Sequence, residues 1–506
     1  MARQKPKKLS PEERTKDFTE VEGTFAKHEA LAEAGRCLFC HDATCNEKCP
    51  AGIDVVNFIR KIKTDNLTGA AKLIYDANVF GGACGRICPS ETLCESGCSS
   101  TELSEPVNIR SLQRYVCDAE LKKLSERGTG RRHQHPLAQQ CQPSQQCQPS
   151  SEQSVKRVAV IGAGPGGLAC ASTLCRAGIS VVVYESKKLA GGLLRYGIPE
   201  YRLPKQSLDD EIQLIEKSCG DKLKILTNTT VGAHIPNAGA HIPNAGVHIT
   251  DAGALIPGAG AHVPFEQLLQ GFDFVYIGVG LGGSHKLNIP GENMECVLSA
   301  EDFLSGVNSG EKIDFSGKKI AVIGAGNTAM DSACVSKRSG AKAVTVIYRR
   351  SAEEMPAWKN EYESAVEEGV EFMWLTQPVE ITAESELKCV RTTLGEKDAS
   401  GRRSPVPVPG SDFLIPVDII LKALGQKPDT GFINKMADAF KIQTKNGLII
   451  IDEKTCRTTN PRIFAGGDCA NGGLTAVEAV ACGKRAATSI IAASIVAAFI
   501  TNEPLA

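Results

Sequence analysis

The sequence predicts an α/β protein in which a helical, cysteine-rich N-terminal domain precedes two domains built on parallel sheets. Three observations lead there. Eight of the twenty cysteines fall between Cys37 and Cys98, among segments with helical spacing such as 54–62 and 108–124. Two strand–glycine turn–helix units, at 157–185 and 319–349, each close on a second apolar strand, and such alternation implies parallel sheets. A further glycine cluster, IFAGGDCANGG, sits at 463–473.

At 506 residues the chain exceeds a single core and implies about three domains. The formal net charge of −1 gives no argument for nucleic acid or an anionic membrane as partner. The N-terminus is basic with no apolar run behind it, so it does not read as a secretory signal. A disulfide framework is then not the expected use of the cysteines. The most apolar stretch, 486–500, is shorter than the roughly 20 residues of a membrane span and is interrupted by Thr488, Ser489 and Ser494. A last helix packed on its own domain is expected there, and a cytoplasmic, soluble protein overall.

Residues 1–125 form the cysteine-rich helical domain, and 126–154 a flexible linker containing the duplicated QCQPS, whose Cys141 and Cys147 read as incidental. From Gly232 a seven-residue unit repeats to about residue 264 (GAHIPNA, GAHIPNA, GVHITDA, GALIPGA, GAHVP). Pro and Gly in the units oppose a regular helix, and five small units make little of a solenoid core. His234, His241 and His248 have no Cys or carboxylate alongside to complete a metal site, so a surface loop is expected.

Cys37, Cys40, Cys45 and Cys49 form C-x2-C-x4-C-x3-C with Pro50 behind; Cys84, Cys88 with Pro89, Cys94 and Cys98 follow. Thiolates two to four residues apart can wrap one corner of a cubane, and a proline after the ligand resembles the ferredoxin signature. Zinc is the rival, but its knuckles pair as C-x2-C…C-x2-C or include His, which these spacings fit poorly. Two [4Fe–4S] clusters are expected.

Val158–Ile161 reads as a strand running into Gly162-x-Gly164-x-x-Gly167, with Pro165, Gly166 and Leu168 opening the helix. The glycines serve a tight turn, close approach of a pyrophosphate, and close helix–strand packing. The helix N-terminus offers free N–H groups to the phosphates. Glu185 ends the next strand, at the spacing expected for a carboxylate on a ribose 2′-hydroxyl. In the second unit, Gly324 and Gly326 precede Asn327 and Thr328, and the following strand ends in Tyr348-Arg349-Arg350. A carboxylate there would repel a 2′-phosphate, whereas paired guanidiniums bind it, which selects NADPH over NADH. Two such units and a late GGD point to hydride transfer from nicotinamide to flavin. FAD takes a hydride and releases single electrons, so the order NADPH, FAD, clusters follows. Catalysis then rests on positioning, and no nucleophile–base pair is expected.

The segments RCLFCHDATCNEKCPAGID, GRICPSETLCESGC, GAGPGGLACA, GGLLRYGIPEYRLPK, VIGAGNTAMD, YRRSAEEMPA and FAGGDCANGGLTAVEAVACGKRAA together resemble one family. It is that of the small subunit of NADPH-dependent glutamate synthase, similar to the N-terminal half of dihydropyrimidine dehydrogenase. The resemblance implies crossed ligand sets: Cys37, Cys40, Cys45 and Cys98 for one cluster, and Cys49, Cys88 and Cys94 with Gln113 for the other. Cys84 is left as a non-ligand. It places Gly164–Leu168, Glu185, Gly192, Leu193 and Arg202 at FAD, with Gly467, Asp468 and Thr475 closing over it. Asn327, Thr328, Arg349 and Arg350 fall at NADPH. It also implies an NADPH domain (291–429) inserted between the two parts of the FAD domain (155–290 and 430–506).

The chain has no N-terminal cysteine for glutamine hydrolysis (position 2 is Ala) and no length for an FMN barrel. The expected role is electron input for glutamate biosynthesis, from glutamine and 2-oxoglutarate, with an FMN-containing large catalytic subunit or ferredoxin as partner. Two alternatives stand beside it. One is a stand-alone NADPH oxidoreductase serving ferredoxin, polysulfide or another acceptor; the other is the input subunit of a dihydropyrimidine dehydrogenase, which Gln113 favours.

Overall fold

The computed structural model describes residues 2–126, 156–232, 247–249, 255–257, 262–384, 386–398 and 401–500. The expectations for Cys141, Cys147, His234 and His241 lie outside the described residues.

The N-terminal domain is helical because its apolar residues recur on one face. In Val55–Lys63 that face is Val55, Val56, Phe58, Ile59 and Ile62, all buried. Asp54 caps this helix by accepting the Asn57 N–H at 3.2 Å. The neighbouring Asn46 accepts the Val55 N–H at 2.8 Å, which fixes the first cysteine loop to the helix start. Helices Leu67–Ala77, Gly81–Ile87 and Ile109–Glu126 complete the core around Phe58, Ile74 and Leu112. A Cβ on Gly85 would lie 2.8 Å from the Arg114 backbone nitrogen, so only glycine lets the last two helices approach this closely.

The first parallel sheet has the strand order Ile463–Ala465, Phe274–Ile277, Arg157–Ile161, Ser180–Tyr184, Leu223–Leu226. Its strands are buried on both faces and therefore read as continuous Val/Ile runs. The strand from 463 pairs in register with the one from 274, Ile463 opposite Val275, so the chain returns to this sheet after an excursion of nearly two hundred residues. It leaves and returns through an antiparallel ladder of Gly282–Ser284 with Gln426–Pro428. Between those points lies the second parallel sheet, ordered Val297–Ser299, Ile419–Lys422, Lys319–Ile323, Ala343–Ile347, Glu371–Met373. An antiparallel sheet of Thr376–Ile381, Glu386–Lys397, Arg403–Pro407 and Phe413–Pro416 flanks it. The fold is thus the expected helical domain followed by two Rossmann-like domains, one inserted in the other.

Part of the repeat insert is ordered into ladders where a loop was expected. Val247–Ile249 pairs antiparallel with Leu255–Pro257, and Thr230–Val231 pairs with His262–Val263. The C-terminal helix runs Ala476–Ile500, longer than the apolar stretch alone suggests. It packs along Pro165–Arg176, where a Cβ on Gly483 would fall 2.1 Å from the Gly166 carbonyl oxygen. Among the described residues no helix is long and apolar enough to cross a membrane.

Candidate functional site

Eight of the nine cysteines of the N-terminal domain gather into two groups; the ninth, Cys117, is buried in the helical core. Cys37, Cys40, Cys45 and Cys98 line one small cavity with Val56 and Gly97. Cys45 lies on the short helix Thr44–Glu47 and Cys98 ends the turn Cys94–Gly97, so distant parts of the sequence supply the four thiols. Burial pushes the Cys45 thiol up to about 12, and the neighbouring Cys98 and Cys37 add to the shift. Cys37 moves the same way, again chiefly through burial. Four thiolates in so small a cavity would repel one another, and a polycationic iron core is what relieves that repulsion.

Cys49, Cys84, Cys88 and Cys94 form the second group. Burial raises Cys88 and Cys94 most, and each also feels Cys49. Cys84 is fully enclosed, is pushed up to about 12 by burial, and accepts the Asn78 side-chain amide at 3.2 Å. Gln113 is buried on Ile109–Glu126 with its amide donating to the Gly81 carbonyl at 2.6 Å. Both the expected non-cysteine ligand and the spare thiol therefore belong to the packed pair of helices beside this group. Among the described residues no three such side chains converge as a single metal ion requires. The donor chemistry, grouped thiols in dry pockets, fits iron–sulfur clusters.

At the first glycine turn, Gly162 has φ +100, and a Cβ there would meet the Gly278 carbonyl oxygen at 2.4 Å. A Cβ on Gly167 would sit 2.0 Å from the Gly162 oxygen, so helix and strand touch backbone to backbone. In front of Gly164 the nearest atom to such a Cβ is the Gly192 Cα, 3.8 Å away, which leaves room for a phosphate before the helix Pro165–Arg176. Glu185, 7 % exposed, accepts the Ala163 and Lys187 N–H groups at 2.8 Å each, so the turn itself fixes its carboxylate. Leu193 is exposed beside Gly192. Gly467 opens the turn Asp468–Asn471, where burial raises the Asp468 carboxyl against the Leu474 N–H that it accepts. Thr475 donates its N–H and hydroxyl to Glu478, at 2.7 and 2.6 Å, and so anchors the start of the last helix.

The second turn repeats the geometry. Gly324 has φ +124, and a Cβ there would meet the Ala423 oxygen at 2.2 Å. Gly326 precedes the helix Asn327–Arg338; Asn327 accepts the Trp358 N–H at 2.9 Å, and Thr328 lies in its first turn. The two arginines differ. Arg349 is exposed, whereas Arg350 is buried, donates to the Arg403 carbonyl at 2.7 Å and pairs with Asp398 at 2.5 Å. Of the two guanidiniums expected at the phosphate, Arg350 is engaged by the antiparallel sheet and Arg349 is the accessible one.

Arg202, which the resemblance places at FAD, is engaged between two elements of the structure. It pairs with Asp331 at 2.7 Å and with Glu361, so it joins the first Rossmann domain to the second. Around it lies a cavity of about 100 Å³ lined by Cys88, Arg86, Tyr201, Asp331 and Glu361. Burial pushes the Glu361 carboxyl up, against the pull of Arg202, and its Oε2 has no hydrogen-bond partner among the described residues. Sequence reasoning missed three further contacts that seat the cluster domain. Glu211, fully buried, accepts the Gly82 and Ala83 N–H groups at 2.5 and 2.9 Å. Lys484 donates to the Ala51 and Ala77 carbonyls at 2.7 and 2.5 Å. Ala51, Phe80, Ala83 and Cys84 enter the core of the first Rossmann domain beside Val160 and Leu168, with Cys49 and Cys88 packed against it.

Comparisons with known proteins agree with this layout. Residues 14–125 match the family described as dihydropyrimidine dehydrogenase domain II, 4Fe–4S cluster, and residues 156–483 match pyridine nucleotide-disulphide oxidoreductase. The NADP(+)-dependent formate dehydrogenase subunit beta of Moorella thermoacetica is 36 % identical over 88 % of this chain, which spans 59 % of that relative's length. The glutamate synthase [NADPH] small chain of Escherichia coli is 33 % identical, over 94 % of this chain and 93 % of that one. FprA of Mycobacterium tuberculosis in complex with NADPH shares the fold, with a TM-score of 0.51 and 17 % identity over 69 % of this chain and 87 % of that one. Two glycine turns, two thiol groups and glutamate synthase small chains matched along nearly their whole length lead to one conclusion: the chain belongs to the family of the NADPH glutamate synthase small chain, oxidoreductases dependent on NADPH, FAD and iron–sulfur clusters.

Proposed function

We propose that this chain is the electron-input subunit of a glutamate synthase, passing electrons from NADPH through FAD and two [4Fe–4S] clusters to a larger FMN-containing partner. The observation that carries this reading is the shared core: the group Cys49, Cys88 and Cys94 adjoins the domain of the first glycine turn, and the group Cys37, Cys40, Cys45 and Cys98 lies beyond it. The bound cofactors supply the redox chemistry, a hydride taken up by flavin and single electrons passed on. The chain's own residues bind and orient. Gly162–Leu168 and Glu185 hold the FAD phosphates and ribose, with Gly192, Leu193, Gly467, Asp468 and Thr475 around the ring system. Gly324, Gly326, Asn327 and Thr328 hold NADPH, with Arg349 on its 2′-phosphate. Gln113 is the proposed fourth ligand of the cluster nearer the flavin.

Anaerobically purified protein should oxidise NADPH in preference to NADH with a dye or ferredoxin as acceptor. It should also capture a large FMN-containing subunit that turns over glutamine and 2-oxoglutarate. Turnover of uracil with the captured partner, or preference for NADH, would defeat the reading. A second reading, electron input to a different catalytic subunit, is favoured by the formate dehydrogenase relative, and the identity of the captured partner separates the two.

A further inference from the structure

Cys456 and Cys482 belong to none of the cofactor sites. Cys456 lies on the loop before Ile463–Ala465, fully buried, and Cys482 lies in the last helix at 7 % exposure. The two thiols adjoin each other, and the Cys456 Sγ donates to the Cys482 carbonyl oxygen at 3.5 Å. The exposed Arg485 places its Nη2 3.1 Å from the Cys482 Sγ. Cys456 has φ +57, a left-handed backbone that glycine adopts freely and cysteine does not. A Cβ on Gly466 would come within 2.9 Å of the Cys482 Cβ, so the pair stands directly behind the GGD loop.

The two sulfurs are not equivalent. The Cys456 thiol donates to the Cys482 carbonyl, whereas the Cys482 sulfur has the Arg485 guanidinium at 3.1 Å, which favours a thiolate there. The Cys482 thiol is held below the ordinary range by the adjoining Cys456 first, with Gly467 and Arg485 adding to that against the cost of burial. Cys456 is enclosed, and its thiol is raised by the adjoining Cys482 first and by burial.

We propose that Cys482 and Cys456 form a thiol–disulfide couple oxidised by hydroperoxides, with Cys482 the attacking thiolate and Cys456 the resolving thiol. The Cys482 sulfur attacks the peroxide; an S–O bond forms, the O–O bond breaks, and the departing alkoxide takes a proton to leave as alcohol. The Cys456 thiol then displaces the hydroxyl of the sulfenic acid; an S–S bond forms, the S–O bond breaks, and water is released. Two thiols and one hydroperoxide become one disulfide, one alcohol and one water. The disulfide removes the sulfur charge that Arg485 faces, directly behind the GGD loop, so oxidation acts on the loop assigned to the flavin.

The test is hydrogen peroxide titration of the anaerobically reduced holoenzyme, followed by alkylation and peptide mapping, which reads thiols whatever happens to the clusters. The wild type should yield a peptide linking Cys456 to Cys482. Cys456→Ser should stop at a sulfenic acid on Cys482 that dimedone traps. Arg485→Gln, remote from the fold's core, should slow the linkage by about tenfold through the lost thiolate stabilisation. The buried neighbours Cys175 and Cys219, which also adjoin each other, serve as an internal comparison. Linkage there with Cys456 and Cys482 still alkylatable would overturn the proposal. So would dimedone capture on Cys456 in Cys482→Ser at the wild-type rate, or an unchanged rate in Arg485→Gln.

Discussion

Residues of the same type divide sharply here by what surrounds them. Cys84 and Cys88 are one helical turn apart, yet the ligand assignment uses Cys88 and leaves Cys84 bonded to Asn78. Cys88→Ser should therefore lose the iron and sulfide of one cluster, about half the total, whereas Cys84→Ser should keep both, as iron and acid-labile sulfide determinations will show. If Cys84→Ser loses iron and Gln113→Ala does not, the fourth ligand is the thiol. The arginines make the same point. Arg349→Ala should raise KM for NADPH by about ten- to a hundredfold, the worth of a charge-assisted hydrogen bond, and leave that for NADH nearly unchanged. Arg350→Ala should instead lower the melting temperature, because it removes the contacts with Asp398 and the Arg403 carbonyl, at about 1–3 kcal/mol. Adjacent arginines at a strand end look identical in the sequence; only the returning hairpin, some fifty residues later, distinguishes them.

Secondary-structure elements were legible wherever their signal is local. Both glycine turns and the strands beside them follow from short-range patterning, whereas the return of the chain at 463 was implied only by the family resemblance. The pairing of the last helix with Pro165–Arg176 was not legible, because its key residue, Gly483, is one glycine among 49 and its partner is more than three hundred residues away. Gly483→Ala should force these helices apart, costing about 1–3 kcal/mol as an overpacked core does. Since Gly166 opens the helix assigned to the FAD phosphates, the variant should also release FAD at lower temperature, which a flavin-fluorescence melt will detect. A Gly178→Ala control, where a Cβ would meet nothing within 4 Å but φ is +88, separates backbone strain from helix spacing.

At the scale of the whole molecule, electron transfer depends on the cluster domain staying seated on the first Rossmann domain, and Glu211 stands at that joint. Its contacts were illegible in the sequence because a carboxylate in the middle of an amphipathic helix reads as solvent-facing. Burial raises its carboxyl to about 7, while the Gly82 and Ala83 N–H groups pull it down. The sign follows from linkage. Between about pH 4.5 and about pH 7 the folded protein holds a proton that the unfolded chain has released, so this contribution to stability is complete at low pH and lost as pH rises through about 7. The loss is on the order of a few kcal/mol. Glu211→Gln mimics the protonated form and keeps an acceptor for one N–H. Thermal melts from about pH 4 to about pH 8 should therefore show the wild type losing stability with rising pH relative to the variant, the two converging at the acid end. If the curves run parallel, Glu211 stays ionised throughout and the joint is held by its charge on the helix Gly81–Ile87.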